Sequence, residues 1–324
     1  MNAVVQDRYG PAEVLQVREI ERPRPHDDEV LVRVHAAGVD PGVWHLMTGL
    51  PYIIRLGYGL RKPRTPVRGL DFAGVVFEVG KKVTRFQPGD EVFGSSRGSF
   101  AEYARAQEKK VAHKPRNLTF EDAAAIPVSG AAALQALRDA GKLQAGNDVL
   151  IIGAAGGVGS FAVQIAKALG AEVTGVASTA KLDLVRKLGA DFVIDYTQQD
   201  FLAHPKRYDL IVDTGGNRPL PRLRRVLGDR GTLVLVGGEG GGRWTGGFGR
   251  NIRAVLLSSF VTQNLRSLVS TERAEDLIFL KDLIEAGKLA PVIDRTYPLS
   301  EARAAIRRLE EKHGRGKIVL TVPG

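Results

Sequence analysis

A strand, a glycine-rich turn and a helix follow one another in residues 149–173, VLIIGAAGGVGSFAVQIAKALGAEV, and this run constrains the fold most strongly. Glycines let such a turn bend tightly, and they let a pyrophosphate approach the unpaired amides at the helix N-terminus. The run therefore predicts a dinucleotide-binding turn, although Ala154 replaces one glycine of the usual pattern. A glycine-rich turn without a ligand is the alternative. The residues that we expect to contact the cofactor are Gly153, Ala154, Ala155, Gly156, Gly157, Val158 and Gly159.

Strands and helices alternate around and after this turn, which is typical of a parallel sheet covered by helices on both faces. The predicted strands cover 148–153, 171–177, 191–195, 208–213, 231–238 and 254–261. The predicted helices cover 157–169, 181–188, 220–227 and 273–286.

The chain on either side of this region has a different character. Residues 1–115 predict short strands and turns, with a long functional loop region at 40–70. An alanine-rich helix is predicted at 120–141, interrupted at Pro127, because proline removes a backbone donor. The tail predicts a helix at 300–312 and a strand at 317–322. The predicted fold class is α/β: a doubly wound parallel sheet of the Rossmann type plus a mostly β second domain.

The end of the second predicted strand indicates which dinucleotide is bound. An enzyme that uses NAD usually places Asp or Glu here to bind the ribose 2′-hydroxyl, but no acid occurs between Glu172 and Asp183. Ser178, Thr179 and Lys181 stand there instead, and all three can donate to a 2′-phosphate. We therefore expect NADPH. The alternative for Lys181 is a solvated lysine at a helix start.

Composition excludes several kinds of site. The chain has no cysteine, which excludes a disulfide, a thiol nucleophile and a Cys-ligated metal. Its six histidines form no HExxH pair, so no metal site is expected. No apolar run reaches the roughly 18 residues of a membrane span, and the N-terminal residues lack a signal-peptide layout. We expect a cytoplasmic protein with a small-molecule substrate and no membrane partner.

Two basic zones carry the whole net charge of +10. Residues 215–273 hold ten arginines against three acids, and residues 55–68 hold five basic residues and no acid. Such zones attract a polyanion, either a phosphorylated cofactor or a nucleic acid, or they form a solvated basic surface. No nucleic-acid-binding module accompanies the charge, so nucleic acid is not an expected partner.

Motifs over nearly the whole chain resemble the medium-chain dehydrogenase/reductase superfamily, in its zinc-free quinone oxidoreductase-like branch. The motifs are AAGVD (36–40), RGLDFAGVVFEVG (68–80), FQPGDEVFG (86–94), GSFAEY (98–103), AAAIPVSGAAALQAL (123–137), LVRKLGADFVIDY (184–196) and GKIVLTV (316–322). The resemblance implies a GroES-like catalytic domain made of 1–122 with 287–324, and a Rossmann domain at 123–286. It also implies cofactor contacts at Tyr196, Gly237 and Gly238.

The sequence departs from the zinc-dependent relatives at their metal ligands. Asp40 stands where those relatives carry a cysteine, and Leu70 and Asp71 stand where they carry His-Glu. Leu70 cannot bind a metal, so the zinc Lewis-acid mechanism is not available. Ala132 stands where a threonine often faces the nicotinamide.

Reduction without zinc has to rely on hydride transfer plus hydrogen bonds that polarise the acceptor. The candidate catalytic residues are Asp40, His45, where zinc-dependent relatives have a proton-relay histidine, and Tyr52, where quinone reductases contact substrate. The alternatives are a helix cap for Asp40, a surface histidine for His45 and simple packing for Tyr52. Trp244 and Phe248 lie in a glycine-rich arm that could close over substrate as a lid or form a plain surface loop.

These residues favour an NADPH-dependent oxidoreductase acting on a quinone or an α,β-unsaturated carbonyl, because hydride addition then gives a delocalised anion. A zinc-free NADP-linked alcohol dehydrogenase or carbonyl reductase is the first alternative. A non-catalytic cofactor-binding protein with RNA affinity is the second. The apolar segment 254–261, taken as an edge strand, predicts a homodimer, because an unpaired apolar edge invites pairing with its own copy.

Overall fold

The computed structural model describes residues 1–203, 205–216, 218–237, 242–311 and 314–323. Contacts divide the chain into two compact units. The first contains Met1–Ala131, Thr271–Gly287 and Pro291–Gly324, and the second contains Ala132–Ser270 and Lys288–Ala290. Both chain ends thus belong to one unit. Residues 123–131 and 271–286, which the resemblance assigned to the Rossmann domain, belong to that unit as well.

The first unit is built mainly on a seven-stranded sheet whose neighbouring strands are mostly antiparallel. Its strands and helices before residue 135 are β1 (Asn2–Val5), β2 (Gln16–Glu19), β3 (Glu29–Val39), α1 (Pro41–Thr48), α2 (Arg55–Tyr58), β4 (Asp71–Val79), β5 (Glu91–Ser95), β6 (Tyr103–Gln107), β7 (Val111–His113), α3 (Phe120–Ala124) and α4 (Pro127–Leu134). The predicted loop region at 40–70 therefore contains two helices. Helix α4 begins at Pro127, which accounts for the predicted interruption.

The second unit contains a six-stranded parallel sheet. Its elements are β8 (Asp148–Ile152), α5 (Gly157–Ala168), β9 (Glu172–Ala177), α6 (Leu182–Lys187), β10 (Phe192–Asp195), β11 (Tyr208–Asp213), α7 (Leu220–Arg225), β12 (Leu227–Val236), α8 (Phe248–Ser258) and β13 (Asn264–Leu268), preceded by a π-helix at Gln135–Ala140. The strand order is β10-β9-β8-β11-β12-β13. The order reverses next to β8, and in such sheets ligands bind outside the carboxyl ends of the strands at the reversal.

The chain returns to the first unit for its last elements, α9 (Ala274–Glu285), β14 (Ile293–Pro298), α10 (Ala302–Glu310) and β15 (Lys317–Thr321). Strand β15 pairs antiparallel with β3, so the two chain ends share the sheet ordered β14-β15-β3-β4-β5-β7. The side chains of Val30, Val32 and Val34 in β3 are buried in its core.

The predicted strand at 254–261 is wrong, because most of that segment lies in helix α8. Ala254 is buried, and Leu257 and Val261 pack on the same core, which is the spacing of one helix face rather than of a strand. A short apolar run does not distinguish the two structures by itself. The edge strand of the sheet is β13, which pairs in parallel with β12.

Helix length also bears on the membrane prediction. Among the described residues, no helix combines the length and the apolar character that crossing a membrane requires.

Candidate active site

The turn between β8 and α5 has the geometry that close approach of a phosphate requires. Gly153 has a φ of +82°, which other residues rarely adopt. A Cβ on Gly159 would lie 2.0 Å from the carbonyl oxygen of Gly153, so only glycine fits where the helix meets the turn. Gly156 is the N-cap of α5 and has no side chain to cover the first amides of the helix. These amides therefore remain available to an anion.

Residues 153–159 are called here the glycine cradle, and the other residues of this turn complete it. Ala154 and Ala155 are buried in the unit, so their side chains do not fill the turn. Gly157 and Val158 form the first turn of α5 and are half-buried. A Cβ at Gly153 would collide with Thr214, and one at Gly159 would collide with the Gly153 carbonyl, so the turn itself requires glycine at both positions.

A carboxylate that the sequence did not single out lies beside the end of β9. Strands β9 and β10 pair in parallel with Asp195 opposite Ala177, and this register brings Asp195 to Thr179. Thr179 Oγ1 donates to Asp195 Oδ2 at 2.5 Å, and the amide and hydroxyl of Thr197 donate to Oδ1 at 2.9 and 2.7 Å. The hydrogen bond from Thr179 lowers the pKa of Asp195, which remains ionised. The hydroxyl proton of Thr179 is therefore engaged and would have to be withdrawn to reach a 2′-phosphate.

The remaining predicted ribose contacts surround the same strand end. Ser178 is half-buried and precedes the 3₁₀ turn Thr179–Lys181, which ends at the half-buried Lys181. Tyr196 follows β10 and is 48% exposed, with the Arg218 guanidinium 5.9 Å from its ring centre. An exposed ring beside the strand ends is suited to packing against a flat base.

The carboxyl ends of β11 and β12 carry an ion pair that the sequence did not reveal. Arg250 Nη2 lies 2.6 Å from Asp213 Oδ2, and the amides of Gly215 and Gly216 donate to Asp213 Oδ1. Arg250 belongs to the first turn of α8, so this largely buried pair fixes the start of α8 at the carboxyl edge of the sheet, the edge at which sheets of this kind bind ligands. Sequence alone gave no signal, because 37 residues separate the partners.

The glycine-rich arm is only partly described. Gly237 follows β12 with a φ of +85°, and its carbonyl accepts a hydrogen bond from Asn251 Nδ2 at 3.3 Å. Gly238, the second predicted nicotinamide contact, lies outside the described residues. Trp244 is 76% exposed, whereas Phe248 begins α8 and is half-buried.

In the first unit, the structure shows Asp40 as the cap of helix α1. Asp40 Oδ1 accepts from the amides of Gly42 and Val43 at 2.7 and 3.3 Å, and the residue is 2% exposed. An Asp at the N-cap satisfies helix amides that otherwise have no partner. Its other oxygen, Oδ2, is buried without a hydrogen-bond partner. This geometry agrees with the helix-cap alternative.

His45 and Tyr52 lie on α1 and on the short 3₁₀ helix that follows it. His45 Nδ1 lies 2.7 Å from the carbonyl oxygen of Leu50. Because a carbonyl can only accept, Nδ1 carries the proton and Nε2 is the acceptor nitrogen of the neutral ring. Tyr52 is half-buried, and the Arg55 guanidinium lies 4.7 Å from its ring centre.

A buried ionic cluster lies behind Asp40 and was not predicted from the sequence. Lys317 Nζ, at the start of β15, lies 3.1 Å from Asp71 Oδ2, 3.1 Å from Ser129 Oγ and 3.9 Å from Asp40 Oδ2. Asp71 Oδ1 also accepts from the amide of Val128 at 2.9 Å. Asp40, Asp71 and Lys317 are each at most 2% exposed. Two buried carboxylates thus share one ammonium.

This arrangement perturbs the ionisation of Asp71. Burial, assisted by the nearby Asp40 carboxylate, raises the pKa of Asp71 to about 7 against the opposing effects of Lys317 and the Val128 amide. Asp71 therefore gains a proton as the pH falls through about 7, well above the range of an exposed aspartate. By the resemblance of the motif at 68–80, Asp71 takes the place of the glutamate next to a metal-binding histidine in zinc-dependent dehydrogenases. Among the described residues, no group of three His, Cys, Asp or Glu side chains could hold a metal ion.

Comparison with known proteins establishes the family. The profile of the alcohol dehydrogenase GroES-like domain matches residues 26–116, and that of a zinc-binding dehydrogenase matches 188–320. The mouse (Mus musculus) mitochondrial NAD(P)H oxidoreductase RTN4IP1 is 34% identical over 99% of this chain and 89% of its own length. The 2-methylene-furan-3-one reductase of tomato (Solanum lycopersicum) is 34% identical over 96% of this chain and 76% of its own length.

A solved structure supports the same conclusion. The quinone oxidoreductase of Coxiella burnetii superimposes with a TM-score of 0.88 at 30% identity, over 100% of this chain and 99% of that one. The chain belongs to the medium-chain dehydrogenase/reductase superfamily, in its quinone oxidoreductase-like branch. The predicted fold class is confirmed, and so is the prediction that the chain is an oxidoreductase.

Proposed function

We propose that this chain is an NADPH-dependent reductase that transfers hydride to a quinone or to the β-carbon of an α,β-unsaturated carbonyl. The observation that carries the proposal is the glycine cradle at the strand-order reversal, followed by a second strand whose end bears Ser178 and Lys181 in place of an acid. The names of two similar proteins, the 2-methylene-furan-3-one reductase of tomato and the quinone oxidoreductase of Coxiella burnetii, support the acceptor class.

The cofactor would be held by the second unit. The cradle from Gly153 to Gly159 would take the pyrophosphate, and Ser178 and Lys181 would take the 2′-phosphate. Thr179 contributes less, because its proton is engaged with Asp195. Tyr196 would flank the adenine, and Gly237 and Gly238 the nicotinamide. When bound, the nicotinamide supplies the hydride.

The residues of the first unit would act on the acceptor. Hydride addition to a quinone or enone leaves negative charge on an oxygen, and a nearby donor stabilises it. We assign this role to Tyr52 through its hydroxyl and to His45 when its Nε2 is protonated. Asp40 acts indirectly: it caps α1, which carries His45, and so it orients the helix rather than donating to substrate.

An acceptor panel tests the proposal. Initial rates of NADPH oxidation would be measured with a quinone, an enone and a simple saturated aldehyde. We expect turnover of the first two and little of the third, because an isolated alkoxide needs stronger stabilisation than these hydrogen bonds provide. Preference for the aldehyde would support the alternative, a zinc-free NADP-linked alcohol dehydrogenase or carbonyl reductase.

We also propose that the chain forms a homodimer. The argument no longer rests on the segment 254–261 as a strand, because most of it is helical. Strand β13 is an edge of the described parallel sheet, and α8 beside it exposes the apolar side chains of Ile252, Val255 and Leu256. An apolar edge of this kind is usually covered. Sedimentation at micromolar concentration should give twice the mass of one chain, and a single-chain mass would contradict the proposal. The cytoplasmic location remains a prediction.

A further inference from the structure

The basic zone at 55–68 has no role in the proposed chemistry, yet part of it lines a pocket in the first unit. The pocket is called here the Arg68 pocket and has a free volume of about 30 Å³, room for a few solvent-sized groups. Its charged lining residues are Arg64, Arg68 and Arg97, and no acidic residue lines it. The half-buried Tyr58 also lines it, and the remaining wall is uncharged: Leu46, Gly57, Pro63, Thr65, Val67, Gly69 and Gly98.

Arg68 is the unusual member of this set. It is only 5% exposed, and no carboxylate among the described residues forms an ion pair with it. Nη1 donates to the carbonyl of Leu46 at 3.1 Å, and Nη2 donates to the carbonyl of Thr65. Nε is buried and has no hydrogen-bond partner. A buried charge without a counter-charge is expensive, and burial lowers the pKa of Arg68 to about 10, so the side chain is still cationic at neutral pH.

The other two arginines stand where an anion would enter. Arg64 and Arg97 are exposed, and the Arg97 guanidinium lies 5.0 Å from the ring centre of Tyr58. The amide of Arg64 donates to the carbonyl of Tyr58, and the amide of Gly98 donates to that of Gly69, so the rim is fixed by backbone hydrogen bonds. A buried guanidinium at the base and two exposed ones at the rim suit an oxyanion, because the guanidinium fork matches carboxylate and phosphate oxygens.

We propose that the Arg68 pocket binds an oxyanion, either a carboxylate or phosphate group carried by the acceptor substrate or free phosphate. The pocket lies against α1, since Leu46, which accepts from Arg68, follows His45 directly in that helix. An anionic group held there would tether an acceptor to the surface beside α1, the helix that carries His45. The acceptor source rests on the proposed function, whereas anion binding itself does not.

Direct titration tests the site without turnover. Inorganic phosphate, and separately acetate, would be titrated calorimetrically into the protein saturated with NADP⁺, at constant ionic strength, so that the cofactor's own phosphate sites are filled. We expect saturable binding that weakens about tenfold in Arg97→Gln, which removes one charged contact at the rim. The matched control is Arg61→Gln, an exposed arginine of the same zone that does not line the pocket, and its affinity should equal the wild type.

Arg68→Lys separates binding from structure. It keeps the positive charge but removes the guanidinium that donates to the carbonyls of Leu46 and Thr65. It therefore tests the buried end of the pocket, and it also removes two hydrogen bonds that stabilise the fold. Arg97→Gln carries the test if that variant fails to fold. No saturable binding of either anion up to about 30 mM, or equal binding in Arg97→Gln and wild type, would overturn the proposal.

Kinetics then distinguish the two sources. A neutral naphthoquinone and a carboxylated counterpart would be compared by kcat/KM. A preference of about tenfold for the carboxylated quinone, lost in Arg97→Gln and competed by phosphate, identifies the acceptor as the source. If kcat/KM is equal for the two quinones and phosphate still binds, free phosphate is the ligand of the pocket. Failure to reduce even the neutral quinone would contradict the proposed function, and the titration alone would then decide whether the pocket binds an anion.

Discussion

Replacing Asp40 by asparagine should change how the stability of the first unit depends on pH. The substitution keeps the helix cap, because Asn caps as well as Asp, and it removes one of the two carboxylates that share Lys317. Burial and Asp40 together raise the pKa of Asp71 from 3.8 to about 7. A folded-state pKa above the unfolded value means that the native state holds the extra proton. The contribution of this proton to the free energy of unfolding is fully present below pH 4 and is lost as the pH rises through 7.

The geometry sets the size of the effect. The two carboxylates are at most about 7 Å apart, because their oxygens lie 3.9 and 3.1 Å from the same nitrogen. At an effective dielectric constant near 20, their repulsion is then at least about 2 kcal/mol. The whole displacement of the Asp71 pKa corresponds to about 4 kcal/mol between pH 4 and 8. We therefore expect Asp40→Asn to remove about half of the wild-type loss of stability over this range.

Denaturant unfolding at a series of pH values between 4 and 8 measures this difference. Burial lowers the pKa of His35, which makes stability rise with pH, but His35 is present in both proteins and cancels. The matched control is Asp7→Asn, since Arg18 lowers the pKa of the exposed Asp7 and its titration lies below the range. The infrared band of a protonated carboxyl gives a second readout at pH 6. Equal slopes of unfolding free energy against pH in wild type and Asp40→Asn would refute the claim that Asp40 raises the pKa of Asp71.

Three further results are expected. Gly159→Ala should abolish NADPH binding in a fluorescence titration, because its Cβ would collide with the Gly153 carbonyl, whereas Gly249→Ala, where a Cβ meets only ordinary contacts, should bind normally. Lys181→Ala should weaken the affinity for NADPH by about tenfold or more and leave the affinity for NADH unchanged, because a charged contact to phosphate contributes about 1.5–3 kcal/mol. Equal affinity of the wild-type protein for both cofactors would contradict this. Prolonged chelation should leave activity unchanged, because Leu70 replaces a metal ligand and the chain has no cysteine; loss of turnover on removing stoichiometric zinc would show otherwise.

The periodic and glycine-containing parts of the chain were predictable from sequence. The βαβ alternation predicted the parallel sheet, and the spacing of Gly153, Gly156 and Gly159 predicted the cradle, because both are local patterns. The segment 254–261 was misassigned because its apolar residues satisfy both a buried strand and one face of a helix.

Contacts between distant residues were not predictable. Lys317 and Asp71 lie 246 positions apart, and only the pairing of β15 with β3 and of β3 with β4 brings them together. The hydrogen bond from Thr179 to Asp195 depends on the register of β9 and β10. Sequence therefore predicted the glycine turn but not the charged groups that the fold brings together.

The destination of the hydride tests the central claim most directly. An enone would be reduced with NADPH carrying deuterium at the transferable position of the nicotinamide, and the product would be analysed by NMR. The proposed function predicts deuterium on the β-carbon and an intact carbonyl. An allylic alcohol with deuterium on the carbon that bears the hydroxyl would contradict it and identify a carbonyl reductase.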